Sequence, residues 1–271
     1  MKKIVPLFLT VLLLLSGCGT KETAAHHEPG KIVIALIDTG VSTAAISEDR
    51  LLPGYNYVLD SDDTEDRINH GTAVASAIAG CDTAEVTGLA PEAYLVPLVV
   101  TDKVDGKVKC VTPDVLAQAI HDSVDAYGAD IINVSLGIQK DTDALREAIA
   151  YAAEKNIPVI SAVGNSGETG KPYYPAAYDT VLAVGSCDRS GKRSDFSQNG
   201  AEVLAPGEDI MLASRHGVPY GIKGTSFATG FVSAYAAKLL MDEPGMTPKE
   251  LYDEIIEKAV SGGGYLPKKA P

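Results

Sequence analysis

The sequence predicts an α/β fold: a doubly wound, mostly parallel sheet with helices on both faces. Two observations carry this expectation. Several short runs are apolar at every position, without polar alternation, which marks strands covered on both sides. Helical patterns lie between these runs, so strand and helix alternate along the chain with no internal repeat. The 271 residues suffice for one large domain with a real core.

The chain begins with a basic segment, Met1-Lys2-Lys3, followed by a short apolar stretch from Ile4 to Leu15. That stretch is too short to span a bilayer comfortably and reads as a signal peptide over residues 1–17. It ends in Leu15-Ser16-Gly17-Cys18, which resembles the lipobox of bacterial lipoproteins. The resemblance implies cleavage before Cys18, lipid on that cysteine and attachment to the outer face of a bacterial membrane. Residues 18–31 are polar and aperiodic and read as a tether. His26-His27 within it has no third metal ligand nearby, so a solvated linker is the reading.

From residue 32 onward the expected strands are Ile32 to Ile37, Tyr94 to Val100, Ile131 to Leu136, Pro158 to Val163, Val181 to Val184 and Val203-Leu204. Pro97 lacks an N–H, so it weakens the second run or places it at a sheet edge. The expected helices are Thr72 to Ala79, Pro113 to Tyr127, Thr142 to Lys155, Ser226 to Met241 and Pro248 to Ala259. Thr112 and Thr247 are placed to cap the second and fifth.

Composition narrows the function. The net charge is −13, and losing Lys2 and Lys3 with the leader takes it to −15. No basic face for nucleic acid is expected. Acidity serves solubility first, and at long range it attracts cationic substrates. Cys81, Cys110 and Cys187 remain beside Cys18. Three is odd, so at least one thiol stays unbridged within the chain. Cys187, in an apolar run, is expected to be a buried thiol. The sequence carries no signal for oligomeric state.

The chemistry is concentrated in Gly224-Thr225-Ser226-Phe227-Ala228-Thr229-Gly230. A loop turns there into an apolar helix with Ser226 in its first turn. A serine in that place is commonly a cap, yet the same free N–H groups and positive helix end would also stabilise a developing anion. In doubly wound folds sites gather at the carboxyl ends of strands. That selects Asp38 after the first strand, His70 at the start of the first long helix, and Asn165 after the fourth strand. A serine needs a base, histidine can serve, and a carboxylate orients the imidazole. The Ser226 N–H and the Asn165 amide are the candidate oxyanion donors. Taken singly, each residue has a commoner structural use as turn, cap or αL residue. Together their types, order and positions fit one reaction.

IALIDTGV, HGTAVASAIAG, INVSLG, AVGNSG and GTSFATG, in this order, resemble the signatures of the subtilisin-like serine proteases, over about Ile32 to Ala259. The resemblance implies a peptidase domain over residues 32–271, with Asp38 as orienting acid, His70 as general base and acid, Ser226 as nucleophile and Asn165 in the oxyanion hole. Ser135, Leu136 and Gly137 would pair with the substrate backbone, with a partner strand near Asp105 to Val108. It implies peptide or protein substrates and no cofactor for catalysis. Asp82 and Glu85 resemble a structural calcium loop only vaguely, and solvated loop carboxylates are the preferred reading.

Three departures stand out. FATG-Phe lacks the family's usual Pro and His at its last two places, and Gly230 inside the helix costs about 1 kcal/mol relative to Ala unless it allows close packing. His70-Gly71-Thr72-Ala73 lacks the usual second histidine. The short tether leaves no room for the family's long propeptide, so folding is expected to be autonomous or assisted in trans. The acidic run from Asp60 to Asp66 reads as a solvated loop; the sharper alternative is a cleft wall that favours basic substrates. A catalytically idle binding lipoprotein of the same fold is the rival function. Asp38-Thr39-Gly40 also suggests an aspartic protease, but one such motif in a βα pattern suits that fold poorly.

Overall fold

The computed structural model describes residues 31–167 and 169–261. The signal peptide, Cys18, the tether up to residue 30, and residues 262–271 lie outside them. In chain order the strands are β1 (Val33–Asp38), β2 (Tyr55–Asn56), β3 (Tyr94–Val99), β4 (Asp102–Val104), β5 (Lys107–Lys109), β6 (Ile131–Val134), β7 (Val159–Ala162), β8 (Val181–Cys187), β9 (Val203–Pro206), β10 (Ile210–Ala213) and β11 (Pro219–Ile222). The α-helices are α1 (Gly71–Ala79), α2 (Pro113–Asp125), α3 (Asp143–Glu154), α4 (Thr225–Asp242) and α5 (Pro248–Ser261).

Seven strands form one sheet in the order β2-β3-β1-β6-β7-β8-β9, every neighbouring pair parallel. The expected doubly wound α/β fold is what forms. β1 shows why its sequence has no alternation. Ile34 and Leu36 join a core with Val74 of α1, Val232 of α4 and Leu251 of α5. Val33, Ala35 and Ile37 join a second core with Leu116 and Ile120 of α2 and Leu145 and Ile149 of α3. Both faces are covered, so every position must be apolar. Asp38 continues the even-numbered series, which puts it on the α1 and α4 face.

The chain winds outward from β1 to β3, then returns to place β6 on the other side of β1. The crevice at this reversal lies at the carboxyl ends of β1 and β6. α4 crosses behind it, buried on nearly all sides, from Thr225 through Ala237 except Phe231. Gly230 allows this: a Cβ there would sit 3.1 Å from Val74 Cγ1 and 3.2 Å from the Val74 carbonyl oxygen. The helix thus gains close contact with α1 where it gives up helix propensity.

Capping follows the sequence. Thr112 and Thr142 accept backbone N–H groups from Val115 and Leu145, each at 3.3 Å. Thr247 and Glu250 form a reciprocal capping box, Glu250 N–H to Thr247 Oγ1 at 3.3 Å and Thr247 N–H to Glu250 Oε2 at 2.8 Å.

Pro97 does not mark an edge. β3 is second from the edge, between β2 and β1. Tyr94 and Val100 donate to Ile32 and Asp38 on the β1 side, while the Leu95 and Val99 carbonyls accept from Leu52 and Tyr57 on the other. Pro97 shares the parity of Leu95 and Val99, so its missing donor faces the outer side. There the edge chain is interrupted at Pro53-Gly54, and no partner is lost.

The sequence reading also missed two antiparallel hairpins, β4–β5 and β10–β11. The first turns on Asp105 (φ 49°) and Gly106 (φ 75°), the positive pair that a two-residue hairpin favours. The segment expected to flank the substrate is therefore a hairpin tip. Cys81 and Cys187 are buried and Cys110 is exposed; no disulfide joins them. Among the described residues no helix is long and apolar enough to cross a membrane.

Candidate active site

β1 delivers Asp38 to the crevice, fully buried. The chain then turns through Thr39-Gly40, and α1 packs directly on that turn. Gly71 makes this possible, since a Cβ there would lie 2.2 Å from the Gly40 carbonyl oxygen and 3.1 Å from Asp38 Oδ1. His70, the residue before α1, consequently faces Asp38, with His70 Nδ1 2.6 Å from Asp38 Oδ1. The same oxygen accepts the Thr39 N–H at 2.7 Å. Burial disfavours the His70 imidazolium, but the Asp38 charge and hydrogen bond, with Asp66 behind, outweigh it and hold the imidazole above its ordinary value. The ring keeps a quarter of its surface exposed, which leaves it open to a substrate.

Asp66 is the residue the sequence reading misplaced. It is buried at the end of the acidic run and organises the loop that leads into His70. Its Oδ1 accepts Thr39 Oγ1 at 3.0 Å, Ile68 N–H at 2.9 Å and Asn69 N–H at 2.8 Å. Its Oδ2 accepts Thr72 N–H at 3.0 Å and Thr72 Oγ1 at 2.7 Å. An acidic residue two and three places ahead of free N–H groups at a helix start is an Asx-type signal that the charge run masked. Two of the other four carboxylates in the run, Asp60 and Asp63, also have side-chain partners. Asp63 pairs with Arg67, which also meets buried Asp102 at 3.0 Å, and Asp60 accepts Tyr55. Asp60, Asp62 and Asp63 stay exposed at the surface.

A second clamp comes from β10–β11. Asn69, at φ 78°, accepts Arg215 N–H on its side chain at 2.5 Å and Tyr220 Oη–H on its carbonyl at 3.0 Å. The residue before His70 is held from both sides.

α4 brings Ser226 in as its second residue; Gly224 is the N-cap. The Ser226 hydroxyl caps nothing. It donates to the Ser135 carbonyl at 2.9 Å, and Ser135 Oγ donates back to the Ser226 carbonyl at 3.1 Å. Behind this pair runs a buried chain from Ser233 Oγ to Asn133 Oδ1 at 2.9 Å, and from Asn133 Nδ2 to Ser135 Oγ at 2.9 Å. It ties α4 to β6. Phe227, next to Ser226 in α4, lies against the His70 ring, centroids 5.4 Å apart.

Asn165 follows β7. Its Oδ1 accepts Thr225 N–H at 2.9 Å and Thr225 Oγ1 at 3.1 Å. With the oxygen held there, the amide nitrogen is the group presented to the cleft, beside the start of α4. Buried Gln198 braces this loop by accepting Ser166 N–H at 3.2 Å and donating to the Lys171 carbonyl. Of the expected substrate-strand residues, Ser135 touches Ser226 and is buried, while Leu136 and Gly137 are half-buried. His121 of α2 packs at a tilt against Tyr151 of α3, ring centroids 4.9 Å apart. Asp82 and Glu85 lie in a tight turn closed by Cys81 and Val86, and among the described residues no three His, Cys, Asp or Glu are grouped to share a metal ion.

The sequence model of the subtilase family, peptidase S8, matches residues 30–269. The chain belongs to the subtilase family. This subtilase is 30% identical over 250 residues to subtilisin DY of Bacillus licheniformis, covering 90% of this chain and 89% of that one. It is 32% identical over 277 residues to the major intracellular serine protease of Bacillus subtilis (strain 168), covering 92% of this chain and 85% of the relative. A crystal structure of a cold-adapted subtilisin-like serine proteinase matches with a TM-score of 0.74 at 30% identity, covering 85% of this chain and 83% of the other. The subtilase is a serine endopeptidase, acting on peptide or protein substrates.

Proposed function

We propose that this subtilase cleaves exported peptides or surface proteins at the outer face of a bacterial membrane, with Asp38, His70 and Ser226 as its catalytic triad. The 2.6 Å bond from Asp38 to His70 is the observation that carries the triad assignment. Asp38 fixes the tautomer with Nδ1 protonated, leaving Nε2 as the base. Substrate binding turns the Ser226 hydroxyl from the Ser135 carbonyl toward Nε2. Oγ then attacks the scissile carbonyl carbon as its proton passes to His70. The oxyanion receives the Asn165 amide and the Ser226 N–H. His70 protonates the leaving amine as the C–N bond breaks, and water, activated by the same imidazole, releases the acyl group. Every step is carried by this chain's own residues.

The membrane site rests on residues 1–18 alone: a basic start, a short apolar stretch and Cys18 in lipobox context. One relative is named as intracellular, so the family by itself does not decide location. Two measurements test the proposal. A fluorophosphonate probe is expected to label the folded protein at Ser226, and Ser226→Ala to abolish both labelling and peptide cleavage; cleavage surviving in that variant would refute the triad. Labelled palmitate is expected on Cys18, and Cys18→Ala to release the enzyme from membranes; a variant still in the membrane fraction would refute the anchor. The idle-binder alternative predicts no label at all.

A further inference from the structure

His70 and Ser226 each sit at the start of a helix, and one side chain outside all five motifs joins the two starts. His70 stands immediately before α1, and Ser226 is the second residue of α4. The helices cross at Val74 and Gly230, where a Cβ on Gly230 would come within 3.1 Å of Val74 Cγ1. Both contact residues lie four positions, about one turn, beyond His70 and Ser226. That crossing fixes the bodies of the helices. It does not by itself set where the peptide entering His70 lies relative to the entry of α4. The triad reading depends on that spacing, because Ser226 Oγ must come within hydrogen-bond reach of His70 Nε2.

The β10–β11 hairpin spans the gap. It is fastened to α1 by Ala213 N–H, which donates to Ser76 Oγ at 3.0 Å. On the loop before α1 it grips Asn69, with Arg215 N–H on the side chain and Tyr220 Oη–H on the carbonyl. The Asn69 N–H goes to Asp66 Oδ1 at 2.8 Å. Its N–H, its side-chain oxygen and its carbonyl are thus each held by a different residue. Asn69 needs this, because its φ of 78° is a left-handed conformation that persists only where partners determine it. Tyr220 stands six residues ahead of Ser226, and β11 runs through Ile222 to the Gly224 N-cap of α4. Gly224 N–H in turn donates to the Gly207 carbonyl at 2.8 Å. A single hydroxyl therefore connects the chain entering the helix of Ser226 with the peptide entering His70. Burial, and after it the charges of Asp66 and Asp38, push that hydroxyl up to about 12, so it stays a donor at neutral pH.

We propose that Tyr220 is a positioning residue of this protease: by holding the Asn69 carbonyl, it sets the spacing between the His70 imidazole and Ser226. It acts through the Asn69 backbone and takes no part in proton transfer. This rests on the assignment of His70 and Ser226 to the triad. Without the hydroxyl, the peptide between Asn69 and His70 loses the one bond that ties it to the α4 side, and the imidazole drifts from its station. A misplacement of about 1 Å costs up to about a hundredfold in rate. The effect falls on the chemical step and not on the affinity for substrate.

The test uses the full-length enzyme and compares wild type with Tyr220→Phe, which keeps the ring and loses the donor. Active sites are counted by fluorophosphonate labelling taken to completion, so kcat is read per reactive serine and unfolded protein drops out. In Tyr220→Phe, kcat is expected to fall by about tenfold, and the labelling rate constant with it, while KM stays within about twofold. Asn69→Gly keeps the carbonyl and accepts the same φ but frees the loop from Arg215. It should lower kcat in the same sense, and it stands in should the phenylalanine variant not fold. Thr247→Ala, which weakens the fold far from the triad, should leave kcat per labelled site unchanged; an equal fall there would trace the effect to lost stability and overturn the inference. Wild-type kcat per labelled site in either Tyr220→Phe or Asn69→Gly overturns it too. So does a loss confined to the number of labelled sites, or to KM. Failure of the wild-type protein to take the label would instead refute the Ser226 assignment, and this inference with it.

Discussion

At the scale of single residues, His70 makes activity and stability move in opposite directions with pH. Its folded pKa is held above the ordinary value of about 6.5. The Asp38–His70 pair therefore contributes stability that is fully present below that unfolded value and is lost as pH rises through the folded one. With His70 as the proposed general base, catalysis needs the neutral imidazole, so kcat/KM is expected to rise through the same window. We expect the acid limb of the pH–rate profile to lie above about pH 6.5, and Asp38→Asn to shift it downward while cutting kcat sharply. An unshifted limb would show that Asp38 does not set the imidazole. Asp66 separates structure from chemistry. It touches no expected substrate position, yet five donors converge on it. Asp66→Ala should lower unfolding free energy by about 3 kcal/mol or more, measured in urea, because buried donors are left unpaired. A loss under 1 kcal/mol would refute its role. The triad candidates were legible in the sequence because strand ends and helix starts are readable positions. Asp66 and Gln198 were not, because each owes its role to partners that folding brings together, about thirty residues away in sequence.

At the scale of elements, the fit of α1 against the Asp38 turn matters more than either element alone. Gly71→Ala would drive a methyl into the Gly40 carbonyl. The expected result is a cost of about 2–3 kcal/mol in unfolding free energy together with a fall in kcat, since α1 carries His70 with it. Thr247→Ala offers the contrast. Loss of its capping box should cost about 1 kcal/mol with kcat unchanged, because α5 carries none of the triad candidates. Equal effects on kcat from both would contradict this division. The long elements were predictable from periodicity and caps. The two hairpins were not: β4, β5, β10 and β11 are three or four residues long, too short to show a period.

At the scale of the whole molecule, charge sets the approach of substrates. The chain carries a net −13. Peptides rich in Lys and Arg should lose kcat/KM as salt rises from about 0.01 M to 0.15 M, where the screening length falls from about 30 Å to 8 Å. Acidic peptides should gain over the same range. Identical salt profiles for both would leave long-range attraction without a part.

β1 has a further consequence, for changes of length rather than of residue. Its odd positions serve one core, and its even positions serve the other and then end in Asp38. Inserting one residue between Ile34 and Leu36 would exchange the two sets of side chains downstream and turn the Asp38 carboxylate away from His70. Inserting two would restore the phase but push Asp38 about 6–7 Å along the strand, past His70. Shape changes within β1 meet only the usual packing cost, whereas every short insertion or deletion there strikes catalysis as well. Among descendants of this gene, β1 should accumulate substitutions while its length stays constant.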